Sequence, residues 1–353
     1  MASHQTSGAR LSDESTTLSL GRGRDWVVRN WLAPAAVAVA VVALVAWFIL
    51  GLASRVVPVQ PGTRLLGVSG GAIYWLGRTC SLWQTRLEGA HAPEALEPLM
   101  WLAECPPDDP RIDGDVVYHL SGQGSVTRHA SGQRHLLLER RLAYALALDR
   151  QFLYVGNCAE RGNCQIERLP AEDDPGDPIL MQAGILALAN MEVDAHEIFW
   201  VDRGRRKPDC AQERVVGQEA PAPHCREPVP PRLMAAAKDP PRATERVVLA
   251  NFDGRRPLLG AKHVYWLGAG GVHRTPKAGG TDELVIPTRT LSGFAAEGDD
   301  VFFAVDGGVF RAADGDAPRR MHGTSSPPRG LSVDGSYVYW IDGDDNMVMR
   351  QRR

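Results

Sequence analysis

Two sets of charged residues recur along this chain at spacings that could gather them in space. Asp113, Asp149, Asp194, Glu297 and Asp334 each stand five residues before an aromatic at the centre of a short β-branched run, and Ser69 and Gly260 hold that place in two further copies. A ring of carboxylates would suit general acid–base chemistry. The simpler chemistry is that of a turn, in which an aspartate between two strands accepts hydrogen bonds from nearby backbone N–H groups, and this is the reading adopted. Arg64, Arg255 and Arg329 share a second place, ten residues before the aromatic, while Arg111, Arg141 and Arg289 lie in the corresponding connections of other copies. Guanidinium groups gathered at one mouth would attract a carboxylate, a phosphate or an acidic polymer. Arginine is also abundant enough in this chain for coincidence to place several of them.

The six cysteines form three near pairs: Cys80 with Cys105, Cys158 with Cys164, and Cys210 with Cys225. An even count in an exported domain reads as disulfides; free thiols are the alternative. Zinc is disfavoured because there is no CxxC and His224 is the only histidine beside a cysteine. No nucleophile elbow, HExxH, phosphate loop or dinucleotide fingerprint stands in a suitable context. No catalytic residue, metal ligand or cofactor is therefore assigned.

The elements that must position these residues are legible in the aromatic runs. GGAIYWLG, GDVVYHLS, RQFLYVGN, AHEIFWVD, AKHVYWLG, GDDVFFAV and GSYVYWID are centred on Tyr74, Tyr118, Tyr154, Phe199, Tyr265, Phe302 and Tyr339, at spacings of 44, 36, 45, 66, 37 and 37 residues. A period of about 40 residues is that of four-stranded propeller blades. In each copy a short apolar run precedes the aromatic strand. A third strand follows, marked in six copies by Arg86, Arg128, Arg168, Arg274, Arg311 and Arg350. PLMWLA, HLLLER, PILMQ, RVVLAN and ELVIP supply a fourth. The expected fold is all-β, a seven-bladed propeller of four-stranded blades.

IFWVD, VYWID and VYWLG resemble the YWTD repeats of LDL-receptor-type β-propellers, keeping the aromatic pair and often the aspartate, but not the threonine. The resemblance covers roughly residues 60–353. It implies a propeller with six blades, the alternative to the seven counted.

The seventh copy ends after its third strand. The β-branched SRVVPVQ, residues 54–60, precedes the first inner strand and is expected to complete blade seven, with Pro58 tolerated on an outermost strand. With blade strands lettered a to d from the centre outward, loops d–a and b–c share one face, and a–b and c–d the other. All three cysteine pairs and the six arginines map to the d–a/b–c face. Residues 203–232, Pro-rich and without periodicity, form a loop insertion in blade four, the kind of segment where binding resides on a rigid scaffold.

Residues 31–53, WLAPAAVAVAVVALVAWFILGLA, carry no charge. A helix of that length, at roughly 1.5 Å per residue, crosses a ~30 Å hydrocarbon core. Arg22, Arg24 and Arg29 before it outnumber the arginines just after it, which favours a cytoplasmic N-terminus and an uncleaved anchor in the inner membrane. A signal peptide cleaved before Ser54 is the alternative. Residues 1–30, rich in Ser, Thr, Gly and Arg, read as a disordered cytoplasmic tail. A net charge of −3 gives no footprint for nucleic acid, and an arginine-over-lysine skew with abundant Ala, Pro and Gly matches a GC-rich bacterial genome. The chain is thus expected to contact the bilayer through residues 31–53 and to present a periplasmic or extracellular propeller. That propeller would bind an envelope protein or glycan, the alternative being a hydrolase or lyase acting on an anionic substrate at the channel mouth.

Overall fold

The computed structural model describes Val37, residues 39–42 and most of residues 55–353. Within the latter it leaves out residues 60, 80, 88–93, 99–109, 122–123, 131–132, 140–142, 161–162, 173–175, 206–208, 212–223, 239–244, 289–290, 306 and 314–317, and gives the backbone alone at several others. The chain divides into two units, Met1–Ser54 and Arg55–Arg353. Of the first, Val37 and residues 39–42 are helical, and Val37, Val39, Val41 and Val42 are all exposed. No helix among the described residues is long and apolar enough to cross a membrane, and the rest of the uncharged run lies outside them.

The second unit is a seven-bladed β-propeller, each blade an antiparallel sheet of four strands. The aromatic runs are its b strands: Ala72–Leu76, Val116–Leu120, Phe152–Glu160, Glu197–Asp202, His263–Gly268, Asp300–Val305 and Tyr337–Ile341. Both faces of a b strand are buried, which is why the motif is apolar without alternation. In blade one, Tyr74 and Leu76 pack towards Val117 of blade two, while Ile73 and Trp75 pack towards Tyr339 and Ile341 of blade seven. Blade four repeats the rule: Phe199 and Val201 join Val264 and Trp266 of blade five, and Ile198 and Trp200 join Tyr154 and Ile166 of blade three. The aromatic pair is therefore two wedges pointing opposite ways, each worth about 1.5–3 kcal/mol of burial. Seven such interfaces carry the ring.

Blade seven is completed by the start of the domain. Arg55–Pro58 pairs antiparallel with Met347–Arg352, setting Val57 opposite Val348 and Pro58 opposite Met347. Val57 is buried and Val59 N–H bonds Asn346 O at 2.8 Å. No edge of the ring is left between first and last blades.

Two features extend the expectations. Strand d of blade one is Glu94–Pro98, which meets the expected PLMWLA at Pro98, the rest of that run lying outside the described residues, and blade six, for which no fourth run was named, has Arg319–Gly323, whose RRMHG sequence is polar. An outermost strand buries little of itself, so apolar composition does not mark it; Arg319–Gly323 is largely exposed. The blade-four insertion is also more ordered than a plain loop. Asp209–Ala211 and His224–Arg226 form a two-stranded ribbon, and Arg205 bridges Val229 below it.

Strand a breaks register against strand b in six blades, at Leu65/Gly67, Ala143/Ala145, Ala189/Met191, Arg255/Leu258, Leu291/Gly293 and Arg329/Leu331. These bulges sit on the strands that line the central channel.

Candidate functional site

Four of the six candidate arginines begin an a strand: Arg64 in Arg64–Ser69, Arg111 in Arg111–Asp113, Arg255 in Arg255–Leu259 and Arg329 in Arg329–Val333. That places them at the d–a/b–c end of the channel. Arg141 and Arg289 lie outside the described residues, as does the Arg255 side chain.

A cavity of about 680 Å³ occupies the channel, with Arg64 and Arg111 in its wall. Arg111 spans three blades. Its Nε donates to Leu146 O of blade three at 2.7 Å, its Nη2 to Met191 O of blade four at 3.1 Å, and its Nη1 stands 3.1 Å from Glu192 Oε1. Blade four, the blade without an arginine in this set, contributes the carboxylate that the arginine of blade two meets. Glu192 had no sequence signal beyond its place on an inner strand. Arg329 turns outward instead, donating from Nη2 to Asn346 Oδ1 in its own blade. The structure thus brings Arg64 and Arg111 to one cavity and sends Arg329 to the b–c turn.

The recurrent aspartates serve the opposite face as turn acceptors. Asp149 Oδ1 accepts from the N–H groups of Gln151 and Phe152, and Asp334 Oδ1 from those of Ser336 and Tyr337, all within 2.9 Å. The other oxygen of each takes the hydroxyl proton of the motif tyrosine, Tyr154 at 3.1 Å and Tyr339 at 2.9 Å. Burial and then the neighbouring carboxylate push both phenols upward. Burial alone would raise the Asp149 and Asp194 carboxyls, but the bonds from Lys238 and Lys277, with those turn N–H groups, outweigh it and hold both below their ordinary value.

The third-strand arginines are absorbed by the blades. Arg274 forks onto Glu283, Arg168 and Arg350 stack on Phe152 and Tyr337, and Arg311 pairs with Asp300 at 2.6 Å. Of the histidines, His119 is buried with its Nε2 2.9 Å from Nε2 of His129, and His273 bonds Asp282 through Nδ1 at 2.7 Å and the Ala269 carbonyl through Nε2 at 3.0 Å. None of these four side chains lines the channel cavity. Among the described residues no cluster of three metal-ligating side chains occurs.

Cys158 and Cys164 face each other across strands b and c of blade three and form a disulfide. The backbone register of the insertion ribbon sets Cys210 directly opposite Cys225. Cys80 and Cys105 lie outside the described residues.

No protein-family model and no curated protein sequence matches the chain. Solved structures do. Virginiamycin B lyase from Staphylococcus aureus superposes with a TM-score of 0.53 at 11% identity, over 84% of this chain and 98% of that one. The computationally designed Ika8 protein gives 0.54 at 11%, over 85% and 100%. The β-propeller domain of the Trilobed protease from Pyrococcus furiosus, described as having an open velcro topology, gives 0.53 at 9%, over 82% and 97%. At these identities the likeness is one of fold, and it defines the class: a β-propeller. The narrower kinship with YWTD repeats rests on the motifs alone.

Proposed function

We propose that this chain is a membrane-anchored, extracytoplasmic propeller that binds a protein or glycan of the cell envelope through its d–a/b–c face. The observation that carries this reading is the blade-four insertion. Between strand b, Glu197–Asp202, and strand c, Arg232–Ala237, a rigid blade projects an extra ribbon whose register suits a second disulfide. A tolerated insertion needs no such internal order, whereas a recognition loop gains affinity from being held in one shape. The uncharged run at 31–53, preceded by arginines, supports an anchor with a cytoplasmic N-terminus in the inner membrane. A hydrolase or lyase reading would need an acid or base in the cavity, and the carboxylate among the described residues of its wall, Glu192, is bonded to Arg111.

A photo-crosslinking side chain at exposed Glu227, on the insertion, tests this in intact envelope, with exposed Ser336 on the opposite face as the control. One discrete adduct from position 227 and none from 336 is the expected result. No adduct from 227, or equal labelling from both faces, refutes it. N-terminal sequencing of the mature chain tests the anchor, which a terminus at Ser54 would remove.

A further inference from the structure

The outer edge of blade three is a second feature, independent of the insertion. We propose that it is a self-association surface, through which two copies of this chain pair strand to strand. Its strand Ile179–Ile185 pairs with Asn163–Pro170 and is the outermost of the sheet among the described residues.

Seven outer strands surround the ring, and six carry a device that keeps a sheet edge from pairing. Glu94–Pro98, Glu283–Pro287 and Arg55–Pro58 hold both a charge and a proline, while Gln133–Leu138, Arg246–Ala250 and Arg319–Gly323 hold arginine. Ile179–Ile185 has neither. With 7 residues, against 4 to 6 elsewhere, it is also the longest.

The edge is open as well as uncharged. Ile179 is 50% and Leu180 55% exposed, Ala183 and Gly184 are exposed, and a Cβ added at Gly184 would meet nothing within 4 Å. Met181 sits at a register break that recurs in every outer strand, and it packs on the core shared by blades three and four. The strand is thus fixed from within while its outer side meets solvent.

A second copy is the occupant that this edge matches. Laid antiparallel about Gln182, the strand sets Leu180 of each copy opposite the open Gly184 of the other, and Ile179 opposite Ile185. Asp177, just before the strand, falls opposite Ala187, so no like charges oppose one another along it. Gln182 is steadied by its own blade-four neighbour, donating from Nε2 to Glu245 Oε2 at 3.1 Å. A twist of roughly 20–25° per strand turns the outermost strand about 60–75° from the channel-lining one. The two-fold axis between two such edges therefore runs nearer the channel axis than across it, and both copies present the d–a/b–c face to the same side. That arrangement suits two chains anchored in one bilayer, where confinement supplies the effective concentration that a small interface needs.

A photo-crosslinking side chain at exposed Ala183 tests this in intact envelope. The expected result is an adduct of two copies of this chain, reduced tenfold or more by Leu180→Arg and changed less than twofold by Leu136→Arg. Leu136 holds the equivalent place in the outer strand of blade two and is 56% exposed. Ile179→Arg is a second disrupting variant, and unchanged melting temperatures show that all three fold. Absence of the two-copy adduct, adducts only to a different protein, or equal yields in Leu180→Arg and Leu136→Arg overturns the proposal. The adduct from position 227 is read separately, so failure here is distinguishable from failure of the insertion as a binding loop.

Discussion

Lys277 reaches from the end of strand c in blade five back to the a–b turn of blade four, its Nζ 2.7 Å from Asp194 Oδ2. The same contact recurs one blade earlier, where Lys238 meets Asp149 at 2.7 Å, and at the end of the chain, where Arg353 meets Glu297. In each case a cation three residues beyond the strand-c residue that pairs with the motif aromatic (Ala235, Arg274 and Arg350) grips the carboxylate position of the preceding blade. Two of the chain's four lysines serve this purpose. Lys277→Met and Lys238→Met should each lower stability by about 1–2 kcal/mol, since both pairs are mostly shielded from solvent, read as a shift in denaturant midpoint. Asp149 and Asp194 have depressed carboxyl pKa values, so the contribution is present above the unfolded value near 4 and is lost as pH falls through the folded one. The two lysine variants should therefore converge on wild type in strong acid.

His119 occupies the place that tryptophan holds in other blades. Burial, and then His129, push its imidazole down to about 4, so it is neutral in the folded state at pH 7. The unfolded chain takes up the proton near 6.5, which means stability falls as pH drops from 6.5 towards 4, by roughly 3 kcal/mol at the limit. His119→Phe should flatten that part of the stability–pH curve. An unchanged slope would show that His119 is not its source.

His273 behaves in the opposite sense. Burial works against its charge, but Asp282 and the Ala269 carbonyl accept both ring protons and raise its pKa above 6.5. Its stabilisation is complete below 6.5 and is lost as pH rises through the raised value. Asp282→Asn should abolish this alkaline-side loss while leaving the acid limb set by His119 intact, as melting temperatures across pH 5–9 would show.

Deleting residues 55–60 removes the outer strand of blade seven and should destabilise the whole propeller, because Val348 and Met349 lose their pairing and cover. Val57→Asp, which keeps the backbone but buries a charge in the cluster of Leu65, Trp75 and Ile341, should cost about 3 kcal/mol or more. A melting temperature unchanged by both would refute ring closure by this strand.

Gly293 of blade six lies close against the backbone of Gly330 and Leu331 in blade seven. A Cβ there would lie 2.8 Å from the backbone of Gly330. Gly293→Ala should therefore destabilise by about 1–3 kcal/mol through displaced backbone, although its own φ is ordinary for any residue. Thermal denaturation beside a surface Gly335→Ala control measures it, since Gly335 has open space around it.

The blade count was legible because the aromatic pair must recur wherever two blades meet: Tyr74, Phe199, Tyr265, Phe302 and Tyr339 are all fully buried. The outer strands were legible only where they happened to be apolar, and Arg319–Gly323 shows that nothing obliges them to be. The turn role of Asp149 and Asp334 could be read from their neighbours, but the lysine from the next blade could not, since it stands 89 residues from Asp149. Arg111 was visible as a charge at a channel mouth. Its partners are mostly main-chain oxygens, Leu146 and Met191, which carry no side-chain signature. The cavity is equally silent in sequence, because a bulge is a fault in register and residues as different as Leu66, Asn190 and Ser292 occupy it.

The strand that closes blade seven also sets a clock. Pro58 faces Met347, about 290 residues later, and a ribosome adding ~5–20 residues per second takes on the order of 15–60 s to span that gap. Through all of that interval the first strand has no partner, and six blades can stack while their ring stays open. A chain that leaves the ribosome N-terminus first must therefore keep Arg55–Pro58 from pairing elsewhere, and proline at position 58, which offers no N–H to a passing strand, helps to keep it idle until its own partner arrives.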